Sequence, residues 1–99
     1  MTTPTVPELL RAAAATYEER NAVYKDNYKR IGAIFCEMFP EGLSVNTPEE
    51  WNRLFLLVQS VSKVTRYASQ FSFGGHLDSV HDAIVYSAML EELTLGEKR

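Results

Sequence analysis

The sequence predicts an all-α fold, a single domain of four helices in an antiparallel, bundle-like arrangement. Three observations predict it. Apolar residues recur at three- and four-residue spacing in four stretches, capping and breaking residues bracket those stretches, and the short β-prone runs all fall inside a helical period.

The first stretch opens at Thr5, where Thr5-Val6-Pro7-Glu8 supplies a capping hydroxyl, an early proline and a Glu able to bond back to the cap. Leu10, Ala13, Ala14 and Tyr17 then share a face, and the run Ala12–Ala15 favours helix and close approach of a neighbour. This helix is expected to fade near Asn21 or Ala22. Tyr24, Lys25 and Asp26 read as a connection, and Asp26 or Asn27 as the cap of a second helix with apolar positions Tyr28, Ile31, Ile34, Phe35 and Met38. Pro40 and Gly42 end it. Thr47-Pro48-Glu49-Glu50 combines cap, proline at the first helical position and Glu at the third, the clearest helix start in the chain. The helix it opens runs toward Gln70. Trp51, Leu54–Val58 and Val61 make its first half apolar nearly all round, which predicts a helix surrounded by others at the centre of the bundle. Gly74-Gly75 breaks the pattern, and a fourth helix follows from Leu77 to Leu93 with Val80, Ile84, Val85, Ala88 and Met89 in its apolar band. Residues 1–99 form one domain on this reading, with the core at 5–93 and a frayed tail at 94–99.

Ninety-nine residues hold one core and no second. With 45% apolar and 23% charged residues the composition is globular, and a core of this size gains from packing against copies of itself. A net charge of -3 gives no strong nucleic-acid signal, since phosphate-backbone affinity comes from clustered Lys and Arg. No basic-then-apolar leader is visible at the start, and the longest apolar run, Leu54–Val58, is far short of the ~20 residues that span a bilayer, so the expectation is a cytoplasmic protein with no membrane partner. Cys36 is the single cysteine and reads as a small core residue beside Phe35 and Met38.

Two constellations can carry chemistry. The third helix bears a polar line, Asn52, Gln59, Lys63, Arg66 and Gln70, along one side, and the fourth answers with Asp78, Asp82 and Tyr86. If these helices pack antiparallel, Lys63 and Arg66 face Asp78 and Asp82. That arrangement is either an ion-pair cluster fixing register or a site with a group left free for a phosphate, ribose or metal. The second constellation is Arg20, Tyr24, Lys25, Asp26, Asn27, Tyr28, Lys29 and Arg30, basic groups interleaved with tyrosines at a helix start. It suits a phosphate with a base stacked on tyrosine, or else a solvated face with Tyr28 in the core. His76 and His81 are five apart and read as surface groups or caps. No nucleophile elbow, phosphate loop or dinucleotide fingerprint is present.

Taken as an ordered set, Tyr24 with Asn27-Tyr28-Lys29-Arg30-Ile31, Lys63-Val64-Thr65-Arg66, and Asp78-Ser79 with Asp82 and Tyr86 resembles a family of small phage and prophage helical proteins that look like MazG-type proteins. The resemblance covers about Leu9 to Leu93. It implies an all-α nucleoside triphosphate pyrophosphohydrolase fold in which acidic pairs on two neighbouring helices bind Mg. Asp78 and Asp82 match the second pair, whereas Lys63 and Arg66 stand where the first pair is acidic, a change that repels Mg and pairs with the aspartates.

The reading is therefore a non-catalytic or weakly catalytic, homo-oligomeric domain that binds a nucleotide or nucleotide-derived signal and needs no cofactor. A phage source would make nucleotide metabolism or sequestration of a host immune nucleotide its setting. The expected ligand-binding residues are Arg20, Tyr24, Lys25, Asn27, Arg30, Lys63, Arg66, Asp78, Asp82 and Tyr86. Two alternatives stand beside it: a Mg-dependent pyrophosphohydrolase that recruits Glu37, Glu49 or Glu50, and a structural or interaction protein with no small-molecule ligand.

Overall fold

Four helices account for most of residues 2–97, the residues that the computed structural model describes. They are α1 (Val6–Tyr24), α2 (Ile31–Met38), α3 (Pro48–Ser69) and α4 (Leu77–Glu97), with single 3-10 turns at Asn27–Lys29 and Phe71–Phe73. The described residues contain no strand.

The predicted starts form as the local chemistry dictates. Thr5 accepts a hydrogen bond from the Glu8 N–H at 3.4 Å. At α3 the capping box closes fully: the Glu50 N–H donates to Thr47 Oγ1 at 3.1 Å, and Glu50 Oε1 accepts from the Thr47 N–H at 3.1 Å. These contacts satisfy N–H groups that a helix start otherwise leaves unpaired.

The chain between α1 and α2 departs from the expectation. α1 continues to Tyr24, beyond Asn21 and Ala22, and stops because Lys25 and Asp26 both adopt left-handed backbone (φ 50° and 59°). Asp26 is consequently no helix cap. It is held by Asn21, whose Oδ1 accepts the Asp26 N–H at 2.8 Å and whose amide donates to Asp26 Oδ1 at 2.7 Å. Asn27–Lys29 forms the 3-10 turn, and α2 begins only at Ile31.

α3 and α4 form an antiparallel hairpin, since Arg53 pairs with Glu97 (3.5 Å) near one end and Tyr67 packs on Gly75 at the other. The turn depends on Gly75, whose φ is +89° and whose N–H donates to the Gln70 carbonyl at 2.8 Å. A Cβ there would lie 2.8 Å from Tyr67 Oη and nearer still to the ring, so glycine is required both by conformation and by space. The last helix runs to Glu97, past the predicted end at Leu93. Residues 98 and 99 of the predicted tail lie outside the described residues.

α1 and α2 sit at the periphery of this hairpin, and the bundle is open. Leu56 is the one buried apolar side chain among the described residues, while Trp51 and Phe55, predicted at the centre, are more than half exposed. Cys36 is exposed as well, on an α2 that leaves Ile31, Ile34 and Phe35 half-buried and buries no residue. Tyr28 is likewise exposed. The radius of gyration is 17.2 Å, against about 13 Å for a compact domain of this length. No helix among the described residues is long and apolar enough to cross a membrane.

Candidate functional site

The end of α1, the turn after it, the start of α2 and the middle of α3 line a groove of about 570 Å³, its walls mostly apolar with polar groups set among them. Thr16, Tyr17, Arg20, Asn21 and Tyr24 line it from α1, Asn27 and Tyr28 from the turn, Ile31 from α2, and Val58, Gln59, Ser62 and Arg66 from α3. The turn is fastened to α3 through Asn27, only 5% exposed, whose amide donates to the Ser62 carbonyl at 3.5 Å. The end of α1 is fastened through the Val23 carbonyl, which accepts from Gln70 Nε2 and from Ser69 Oγ. A helix end leaves its carbonyls without intrahelical donors, and side chains of α3 supply them here.

The groove therefore unites Arg20, Tyr24, Asn27 and Arg66 from the two predicted constellations. Arg66 lies over the Tyr24 ring, its guanidinium carbon 4.6 Å from the centroid. Tyr24 in turn meets His76 edge-on at 5.8 Å, and His76 Nδ1 lies 2.7 Å from the Oγ of buried Ser79. A guanidinium held by its face keeps its N–H edge for a planar anion. Neither Arg20 nor Arg66 has a carboxylate at ion-pair distance among the described residues.

The expected meeting of two cations with two anions forms only in part. Lys63 Nζ pairs with Asp82 Oδ2 at 3.2 Å, with the Lys63 side chain just 14% exposed. Arg66 turns toward α1. Three residues along an α-helix displace a side chain by about 60° around the axis, so a polar line wide enough to hold both residues straddles the boundary between the α4 face and the α1 face. Asp78 is exposed, and Tyr86 is half-buried on α4 away from the groove. Lys25 reaches over the Phe73 ring at 5.3 Å, and Arg30 donates to Asn27 Oδ1 at 3.4 Å, both outside the groove lining.

Where Tyr17 and Tyr28 line the groove, a short run of polar contacts perturbs three groups. The Tyr17 and Tyr28 hydroxyls lie 3.3 Å apart, and that bond, with partial desolvation and the Asp26 charge, pushes the Tyr17 phenol up to about 12. The Asn21 amide, then Lys29, holds the Asp26 carboxyl below its usual value. Asp26 in return raises Lys29, whose Nζ lies 3.4 Å from Asp26 Oδ2.

Sequence reasoning missed Asn21, Gln59, Ser62 and His76 as parts of this neighbourhood. Gln59 was visible in the polar line and Asn21 at the predicted helix end. Nothing local marks Ser62 or His76, because their roles arise from packing between elements. Among the described residues no three His, Cys, Asp or Glu side chains converge as a metal cluster. Comparison with known proteins finds no matching family, no matching curated protein and no matching solved structure, and the resemblance to MazG-type proteins rests on the quoted motifs.

Proposed function

We propose that this chain binds a nucleotide or nucleotide-derived signal in the α1–α3 groove, with little or no catalysis, and that it does so as a homo-oligomer. The observation that carries the reading is the unequal fate of the two cations on α3. Lys63 is neutralised by Asp82, whereas Arg66 is oriented by Tyr24 and joins Arg20 on the wall of a groove without a carboxylate partner. Two guanidiniums so placed suit a phosphate group, and Asn27, Gln59 and Ser62 offer polar atoms to a ribose or base edge. The volume falls within the ~300–1,000 Å³ of small-molecule sites. In a phage setting, implied by the resemblance alone, such binding fits nucleotide metabolism or sequestration of a host immune nucleotide.

A thermal-shift panel of nucleotides, cyclic nucleotides and ADP-ribose-type compounds, with and without Mg and with mass analysis of each hit, tests this. At least one compound should raise Tm and be recovered intact. Arg66→Ala should then weaken its binding roughly 10- to 100-fold, the worth of a charged hydrogen bond. Silence across the panel, or stabilisation indifferent to both Arg20→Ala and Arg66→Ala, would sink the proposal. Conversion of the hit that needs Mg and is abolished by Asp82→Asn would put a pyrophosphohydrolase in its place.

A further inference from the structure

α4 presents apolar residues on two opposite sides. The side toward α3 carries Ala83, Tyr86, Leu90 and Leu93, all half-buried. The solvent side carries Leu77, Ile84, Ala88 and Leu95, with Leu77 81%, Ile84 63% and Leu95 54% exposed. Their spacing of seven, four and seven residues is that of a heptad seam, and His81 and Glu91 occupy its two remaining positions. Val80 and Ile84 also border an apolar groove of about 480 Å³ between α3 and α4, continuous with the seam and lined by Val64 and Tyr67 on its other wall.

We infer that this seam is the contact with a second copy of the chain, and that the two α4 helices meet antiparallel about a twofold axis that crosses the seam at the level of residue 86, on the side of α4 opposite the Tyr86 ring. Area argues for the second copy. The accessible surface is 7758 Å², about 2,000 Å² more than a folded monomer of this mass exposes. That excess is larger than the roughly 800 Å² per partner that a standard-size interface removes, so the chain has surface enough for one.

Sequence symmetry and charge argue for the orientation. The seam reads alike in both directions about residue 86, so reversal sets Leu77 against Leu95, Ile84 against Ala88, and His81 against Glu91 of the second copy. Large side chains then meet small ones or their like in size, and the two polar seam positions meet as base and acid. A parallel pairing would set Glu91 against Glu91 and His81 against His81, leaving like groups facing inside an apolar seam. Asp78, Val85 and Glu92 flank one side, where water screens the acids.

The inference builds on the homo-oligomeric half of the proposed function, and its test reads mass and cross-links, so it can fail while nucleotide binding stands. Sedimentation should give a mass near 22 kDa, twice the 11.2 kDa chain, or an even multiple built from that dimer. Ile84→Glu should return the chain to single-copy mass. In a Cys36→Ser background, His81→Cys combined with Glu91→Cys should give dimers with a short bis-maleimide, whereas His81→Cys alone should not. The cross-linking arm holds even where Ile84→Glu does not fold. A helical protein of single-copy mass at 100 µM, which would leave the seam to a foreign protein or a lipid, overturns the inference. So does efficient cross-linking through His81→Cys alone, or a dimer that the paired variant fails to join.

Discussion

Asn21 sets the site at the residue scale, because its side chain closes the turn of two left-handed residues that carries the chain from α1 to Asn27. Non-glycine residues pay for left-handed backbone, and the Asn21 amide offsets that cost with two hydrogen bonds. Asn21→Ala should lower stability by roughly 1–3 kcal/mol, read by denaturant unfolding. The pH dependence follows from Asp26. Its carboxyl is depressed in the folded chain, so its contribution is present above the ordinary value of 3.8 and is lost as pH falls through the lower folded value. The Asn21→Ala deficit should accordingly shrink in acid below that point. Tyr17 gives the opposite sign: a phenol raised from 10.0 to about 12 contributes below its ordinary value and loses the contribution as pH rises through about 12. Absorbance titration should show Tyr17 ionising late, and Tyr28→Phe should bring it back toward 10.0.

Among the elements, those fixed by their own sequence were legible and those fixed by distant partners were not. The starts of α1 and α3 follow from Thr5 and Thr47 with the Glu three residues on, and both form as read. Thr47→Ala should cost about 1 kcal/mol, seen as a lower Tm. The same change should release the Glu50 carboxyl, which the Thr47 cap holds below 4.5, toward its ordinary value. α2 starts later than Asp26 or Asn27 predicts, because the turn before it is closed by Asn21, five residues before Asp26, and no cap rule spans that distance. At the second glycine of Gly74-Gly75 the sequence announced a break without saying what filled the space. Gly75→Ala should destabilise by roughly 1–3 kcal/mol through backbone strain and collision with Tyr67.

Over the whole molecule, helical periodicity revealed four helices and the antiparallel α3–α4 pair, but not how few contacts α1 and α2 would make. A hydrophobic face in a sequence does not say whether its partner lies in the same chain. The apolar circumference of α3 predicts a bundle centre, whereas Phe55 and Trp51 are open in the single chain. Of the ten expected site residues, Arg20, Tyr24, Asn27 and Arg66 converge, because each faces the one boundary where α1 crosses α3. Hydrogen exchange should follow the packing, with α3 and α4 protected most, and α1 and α2, which bury no residue, exchanging early.

Every side-chain hydrogen bond from α1 to another described element lies at Tyr17 or beyond, so the helix that forms one wall of the groove is a lever fixed at one end. A ligand gripped against such a wall must first restrain it, and that ordering subtracts from affinity. Anything that immobilises α1 from outside would then tighten binding without touching the ligand, and by thermodynamic reciprocity the ligand would favour that contact to the same degree. Occupancy of the groove and attachment at the free end of α1 become one linked equilibrium.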